Sequence, residues 1–244
     1  VKIYTYFEDI NHSGQEKLLE LWKESWQRQG FEAIVLGEKD AKKTEEYHQF
    51  LKQMKFIFQK TTGKKLSNYG LSCFTRWLAY STVQDKEERF FVSDYDIINS
   101  GRWRVDQPIS KKLHFLDADC PCMASGTAEQ FKKISEAFFE VTMNRIEHLI
   151  KIVDHYHDQE FFKFNFMEHF NSEAKQLWKK YDAKFSRNPK RDVDLLRPKE
   201  FQTCRAFHIS HYCVATIIEQ EPEKYKNKKL DEARVEIIEN KFLK

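Results

Sequence analysis

No stretch of this sequence approaches the ~20 consecutive apolar residues that a membrane-spanning helix requires, and no secretory leader opens it. No transmembrane segment is therefore expected within these 244 residues. Glycine and proline are scarce, seven and five, which excludes collagen-like and low-complexity chains. The five cysteines (Cys73, Cys120, Cys122, Cys204 and Cys213) are odd in number and irregular in spacing, so they do not read as a disulfide framework. A large charge of either sign is missing too. Forty-one basic against 38 acidic residues leave a net of +3, which gives no ground for a nucleic-acid or anionic-membrane partner. The basic clusters "KTTGKK" (60–65) and "NPKR" (188–191) read as solvated surface. The chain opens on Val1 without a methionine, which leaves room for a removed upstream segment. Its compartment stays open between the cytoplasm and a lumen, in the second case as a soluble catalytic domain without its anchor.

Apolar material, by contrast, is plentiful. Hydrophobic residues make up 41% and aromatics 15%, with 21 phenylalanines, enough for a large core. "VKIYTYFED" reads as a strand that runs straight into acids, and Leu18, Leu19, Trp22 and Trp26 recur at helical spacing until Gly30. "FEAIVLG" is a second strand, so the first 37 residues carry a strand–helix–strand signature of a parallel sheet. Helical patterns follow over 45–59 and 71–84, then the strand "ERFFVSDYD". One or two short strands are expected in 112–127, and a long helical pattern, broken once, over 128–153. "EPEKYKNKK" reads as a linker and "LDEARVEIIENKFL" as a closing amphipathic helix. The expected fold class is α/β. A three-layer Rossmann-like nucleotide-binding half (1–101) precedes a helix-rich acceptor and catalytic half (102–220) with a mixed central sheet, and 221–244 forms a linker and closing helix.

The apolar run in "FFVSDYDIINSG" stops at Asp94 and Asp96. Residues two apart on an extended chain face the same way, about 7 Å apart, and two carboxylates so placed repel unless a cation sits between them. Hard oxygen ligands suit Mg²⁺ or Mn²⁺, which would neutralise charge on a departing diphosphate. The plain alternative is a solvated turn with two acids. Ligands of parallel sheets bind at the carboxyl ends of strands. That rule adds Tyr6, Phe7 and Glu8, after the first strand, as contacts for a nucleobase, and Asp40, after the second, as a contact for base or ribose. Trp22 and Trp26 read as core, while Trp103, beside Arg102 and Arg104, is a candidate acceptor contact.

The helical "TRWLAY", followed by an apolar strand ending in DxD, resembles the GT-A fold glycosyltransferases, with the DXD sugar-binding group closest in flavour. The resemblance implies that Arg76 sits beside the donor sugar and that Asp94 and Asp96 bind metal and nucleotide diphosphate. "CPCMASGTAEQFKKI" is similar to the segment that offers small residues to the sugar, which makes Ala124, Ser125 and Gly126 donor contacts. "HDQEFFKFNF" resembles the DQD-type motif of glycogenin-like transferases and points to Asp158 and Gln159 as catalytic residues. Asp158 and Glu160 also suit a helix N-terminus. "CRAFHISHYC" supplies His208 or His211 as a further metal ligand, one that favours Mn²⁺. "RFFVSDYD" lacks the glycine pair usual before the family's DxD, so retention or inversion stays open.

These features imply a Mn²⁺- or Mg²⁺-dependent transferase. Its donor would be a nucleoside diphosphate sugar (UDP- or GDP-linked), and its acceptor a hydroxyl on a glycan, a glycoprotein or another molecule. A metal-dependent nucleotidyl or phosphodiester enzyme would use the same carboxylates. A non-catalytic nucleotide-sugar-binding domain is the third reading. Zinc at Cys120–Cys122, or at Cys204, His208, His211 and Cys213, is a competing use of the remaining thiols and imidazoles.

Overall fold

A computed structural model describes residues 1–9, 14–84, 88–116, 121–151, 153–167, 172–185, 193–195 and 204–242. Strands β1 (Lys2–Tyr6), β2 (Glu32–Leu36) and β3 (Phe90–Ser93) come from the three β-branched and aromatic runs. β1 lies parallel to both β2 and β3. Between β1 and β2 the chain passes through helix α1 (Gln15–Gln27), and the positive φ of Gly30 turns it back. Strand β4 (Ile97–Asn99) follows β3 after a tight turn but belongs to a different sheet. β5 (Leu113–Phe115) and β6 (Met123–Gly126) run antiparallel to each other, β6 also pairs antiparallel with β3, and β7 (Ala183–Phe185) lies parallel to β5. The result is a mixed six-stranded sheet of order β2-β1-β3-β6-β5-β7, flanked by helices. The α/β class is therefore observed, and strands from both halves of the sequence share one sheet. A second sheet joins β4 to β9 (Ala206–His208) and β9 to β8 (Val193–Leu195).

Strand alternation divides the core in two. Tyr4, Tyr6, Phe90 and Val92 face one side of the sheet, and Ile3 and Phe91 the other. The first side packs against α3 (Tyr47–Thr62), α4 (Asn68–Tyr80) and α5 (Ala128–Asn144). There Trp77 meets the rings of Phe115, Phe131, Phe138 and Phe162 at centroid distances of 5.1–6.3 Å. α4 starts earlier than its apolar spacing suggests, because Ser67 accepts the Gly70 N–H (3.1 Å) and converts the expected loop into a first turn. The 128–153 pattern does break once. α5 ends at Arg145, whose guanidinium donates to the Phe164 carbonyl (2.6 Å), and α6 (Ile146–Leu149) follows. α7 (Asp158–Phe162) runs into a π-helical turn over 163–167, and α8 (Ser172–Lys180) comes next.

The other side packs against α1, α9 (His211–Gln220), α10 (Pro222–Tyr225) and α11 (Leu230–Phe242). The stretch read as a linker contains α10, where Tyr225 is buried, and Ala233, Ile237 and Ile238 of α11 belong to the core. Gly14, at φ +95°, lets the start of α1 lie on α11. A Cβ there would sit 3.2 Å from the Asp231 backbone and side chain. Leu230–Phe242 therefore form a closing helix that is seated in the fold.

Trp22 and Trp26 are fully buried, as their spacing predicts, and both use their indole N–H. Trp22 donates to Ser93 Oγ (2.9 Å) and Trp26 to the Ile97 carbonyl (3.0 Å), on either side of the DYD turn. Trp22→Phe keeps most of the ring and removes one of these bonds, so it should cost about 2 kcal/mol in urea unfolding. A change indistinguishable from zero would show that the bond carries no stability.

Candidate functional site

The DYD segment is the hinge between the two sheets. Asp94 extends the β3 pairing by donating its N–H to the Cys122 carbonyl (2.7 Å), and its own carbonyl accepts the Ile97 N–H (3.1 Å), which closes a turn. After that turn the chain is β4. Ile209 donates to the Asp96 carbonyl (2.9 Å), so Asp96 is tied to the exit of β9. α1 grips the turn from outside: besides the two indoles, Ser25 Oγ accepts the Asn99 N–H (3.2 Å) and Gln15 donates to the Tyr95 hydroxyl (3.1 Å). Four α1 side chains thus hold the segment that carries both acids.

His208, the last residue of β9, pairs in register with Ile97 beside the turn. Ligand atoms of Asp94, Asp96 and His208 lie within 4.8 Å of one another. Its Nε2 is 3.6 Å from Asp96 Oδ2, while Asp96 Oδ1 is buried and has no hydrogen-bond partner. His211 stands apart at the head of α9, exposed on the rim and 3.7 Å from Asp231. Of the two candidate histidines, His208 is the one grouped with the aspartates.

Arg76, on α4, binds from the opposite wall. Its guanidinium donates to Asp94 and, through Nε, to Asp158 Oδ2 (2.9 Å), with Nη2 2.6 Å from the same oxygen. Trp77 Nε1 donates to that oxygen as well (2.7 Å). Asp158 is only 2% exposed and lies behind the arginine, a positioning group and not a surface of the cleft. It is the first residue of α7, with His157 as the N-cap and Glu160 accepting the His157 N–H. The next residue, Gln159, is exposed and does line the cleft.

The cleft has a volume of about 280 Å³ and is bounded by Arg76, Asp94, Asp96, Gln159, His208 and Arg234, with Tyr69 and Tyr212 exposed on its rim. Arg234 comes from α11 and is 1% exposed. It lies 3.2 Å from Asp231 and 3.7 Å from Asp96, while its Nε and Nη2 have no hydrogen-bond partner. The sequence reading missed it, because an arginine on an amphipathic helix looks like surface. The one available signal was its place among the buried positions Ala233, Ile237 and Ile238.

Charge is distributed unevenly between the two aspartates. Burial pushes Asp94 up to about 7 against the pull of Arg76, and Asp96 adds to the rise. Burial also opposes ionisation of Asp96, but His208, Arg234 and His211 outweigh it and hold the group at about 2. Arg76 stays charged despite its burial because Asp158 and Asp94 flank it. Burial, reinforced by Asp158, raises the Cys73 thiol far above the usual range, so it is a poor nucleophile.

Other expected contacts go elsewhere. Tyr6 lines the cleft and donates its hydroxyl to Glu8. Phe7 packs edge-on against Tyr95 at 5.5 Å, the residue between the two aspartates. Asp40 does not reach the cleft. It accepts the Gly37 N–H (2.9 Å) and pairs with Lys43 (2.6 Å), closing the short helix α2 (Glu38–Ala41). Ala124, Ser125 and Gly126 are buried in β6 between β3 and β5, so sheet pairing takes the place of a sugar. The close approach at Gly126 is made by Leu113, 2.9 Å from where a Cβ would lie. Trp103 is 2% exposed and packs on Trp26 and Phe91, which rules out acceptor contact in this form. Cys120 and the 188–191 cluster lie outside the described residues. Among the described residues no group of metal-ligating side chains includes a cysteine.

Two outcomes follow. Arg76→Met would leave Asp158 buried without its cation, and stability should fall by roughly 3–5 kcal/mol in denaturant titration. Glu8 is raised from 4.5 to about 7 by burial first and by Glu38 second. Such a group destabilises the fold when ionised, and the cost fades as pH falls from about 7 towards 4.5. Glu8→Gln should therefore melt higher than the parent at about pH 8, with the gap closing near pH 4.5. A gap independent of pH would assign the effect to packing.

Comparison with known proteins adds no family to this geometry: no family model matches the chain, and no curated protein matches it.

Proposed function

We propose that the chain is a metal-dependent glycosyltransferase that moves a sugar from a nucleoside diphosphate sugar to a hydroxyl acceptor. The observation that carries this reading is the orphaned Oδ1 of Asp96 within the Asp94–Asp96–His208 group. A buried carboxylate oxygen without a partner is costly, and a cation would satisfy it. A cation there would also offset the repulsion between the two carboxylates, which contributes to the raised Asp94. Two carboxylates and one imidazole form a donor set suited to Mn²⁺, and less so to Mg²⁺.

In this reading Asp94, Asp96 and His208 would hold the ion, which when bound would supply positive charge to diphosphate oxygens. The protein's own groups do the rest. Transfer breaks the bond between the anomeric carbon and the diphosphate oxygen and forms one to the acceptor oxygen, whose proton leaves to a base. The departing diphosphate gains negative charge. Arg234, at the floor of the cleft, has two nitrogens without a hydrogen-bond partner, one of them 3.7 Å from Asp96, and Arg76, held in place by Asp158, adds charge from the wall. Gln159 is the exposed polar group on that wall, suited to a sugar hydroxyl. Tyr6 and Phe7 sit where the first strand meets the turn and would border the base.

The double variant Asp94→Ala/Asp96→Ala should lose Mn²⁺-dependent hydrolysis and transfer of UDP- or GDP-sugars by at least about 100-fold, with an unchanged circular dichroism spectrum. Undiminished turnover in that variant would sink the assignment. In the parent, thermal stabilisation by one nucleoside diphosphate only when Mn²⁺ is present would name the base. Cleavage of nucleotides that carry no sugar would favour the nucleotidyl or phosphodiester reading instead.

A further inference from the structure

The segment leading into α7 gathers His155, His157 and Glu160, none of which the cleft uses. One ligand atom from each lies within 4.8 Å of those of the other two. His157 is firmly held. It is buried, its ring stacks on Phe58 (5.7 Å between centroids, 20° between planes), and Tyr69 meets it edge-on at 6.0 Å. Its Nε2–Cδ2 edge lies against Gly70, where a Cβ would come within 2.5 Å of Nε2. Only a residue without a side chain leaves the ring its place. Glu160 is fixed by the His157 N–H, which donates to one carboxylate oxygen (2.8 Å). His155 approaches from solvent, with its ring centroid 3.9 Å from that of His157.

We propose that His155, His157 and Glu160 bind a divalent transition metal of the zinc class, at a site distinct from the aspartate pair of the cleft. Two imidazole nitrogens and one carboxylate oxygen are donors that zinc takes readily, with a fourth position left to water. Magnesium and calcium prefer oxygen ligands throughout. Two of the three donors are already immobilised by packing or by a backbone bond, so binding need order little beyond His155. The site bears on the cleft through the chain itself. Asp158 and Gln159 lie between His157 and Glu160, so a metal tying those two together would fix the turn that sets Arg76 and presents Gln159. This inference stands independently of the glycosyltransferase reading.

The test is a titration of the full chain with Co²⁺, followed by visible absorption, and with Zn²⁺, followed by calorimetry. Besides any ion held by the aspartate pair, one equivalent of metal should bind with ligand-field bands of low coordination number. His155→Ala, at an exposed position where folding is safe, should weaken binding at least ~10-fold, and Glu160→Gln should do the same. Asp94→Asn/Asp96→Asn should leave that equivalent in place. Bound metal should also slow amide exchange over 155–162 in the parent and not in His155→Ala. Equal zinc affinity in parent and His155→Ala, loss of the equivalent in the aspartate double variant, or absence of binding to the parent would each overturn the proposal.

Discussion

The guanidinium of Arg76 is shared between two carboxylates that the sequence places far from it, Asp94 eighteen residues on and Asp158 eighty-two. That sharing fixes the geometry of the cleft. Three buried or half-buried charges in one place are tolerable only because each has a partner, and removal of the shared arginine would strand the acids. The bridge holds α4, the end of β3 and the start of α7 at one separation. Aromatic packing around Trp77, next to Arg76 in sequence and bonded to the same Asp158 oxygen, backs the arrangement from the apolar side. Core and cleft therefore meet in two consecutive residues, one filling the interior and one reaching out of it.

The second constraint is the turn itself. Asp94 is paired into the six-stranded sheet and Asp96 is tied to the three-stranded one, so the two acids report the relative position of both sheets. α1 holds that junction through Trp22, Ser25, Trp26 and Gln15. Tryptophans that pattern alone marks as core thus have a directional task as well. Their rings fill the interior, and their N–H groups hold Ser93 and Ile97, on either side of the acids.

Much of this could be read from the residues, and what escaped has physical causes. The strands β1, β2 and β3 and the helices between them follow from alternation and spacing, because both faces of the sheet are covered and the apolar positions are unambiguous. Asp94 and Asp96 are legible because two acids at the end of an apolar run are hard to explain otherwise, while Arg76 and the choice of His208 or His211 come from the family resemblance. Three expectations fail for separate reasons. Position after a strand points Asp40 to a ligand, resemblance points the 124–126 segment to a sugar, and flanking arginines point Trp103 to an acceptor, but a local bond, strand pairing and ring packing respectively engage them first. Asp40 closes a helical turn, and Ser125 sits in a doubly paired strand. Arg234 was missed for the opposite reason: its burial depends on α11 docking against α1, a long-range event that no local pattern records.

That docking has a kinetic consequence. The cleft draws on residues from Tyr6 to Arg234, so its assembly requires loop closures spanning almost the whole sequence. Closing long loops costs chain entropy, and folding slows as contacts become less local. The six-stranded sheet supplies the DYD turn, while α11, seated on α1 across Gly14, supplies the arginine at its floor. Competence of the cleft therefore requires both closures, and a chain that had formed the sheet alone would lack it.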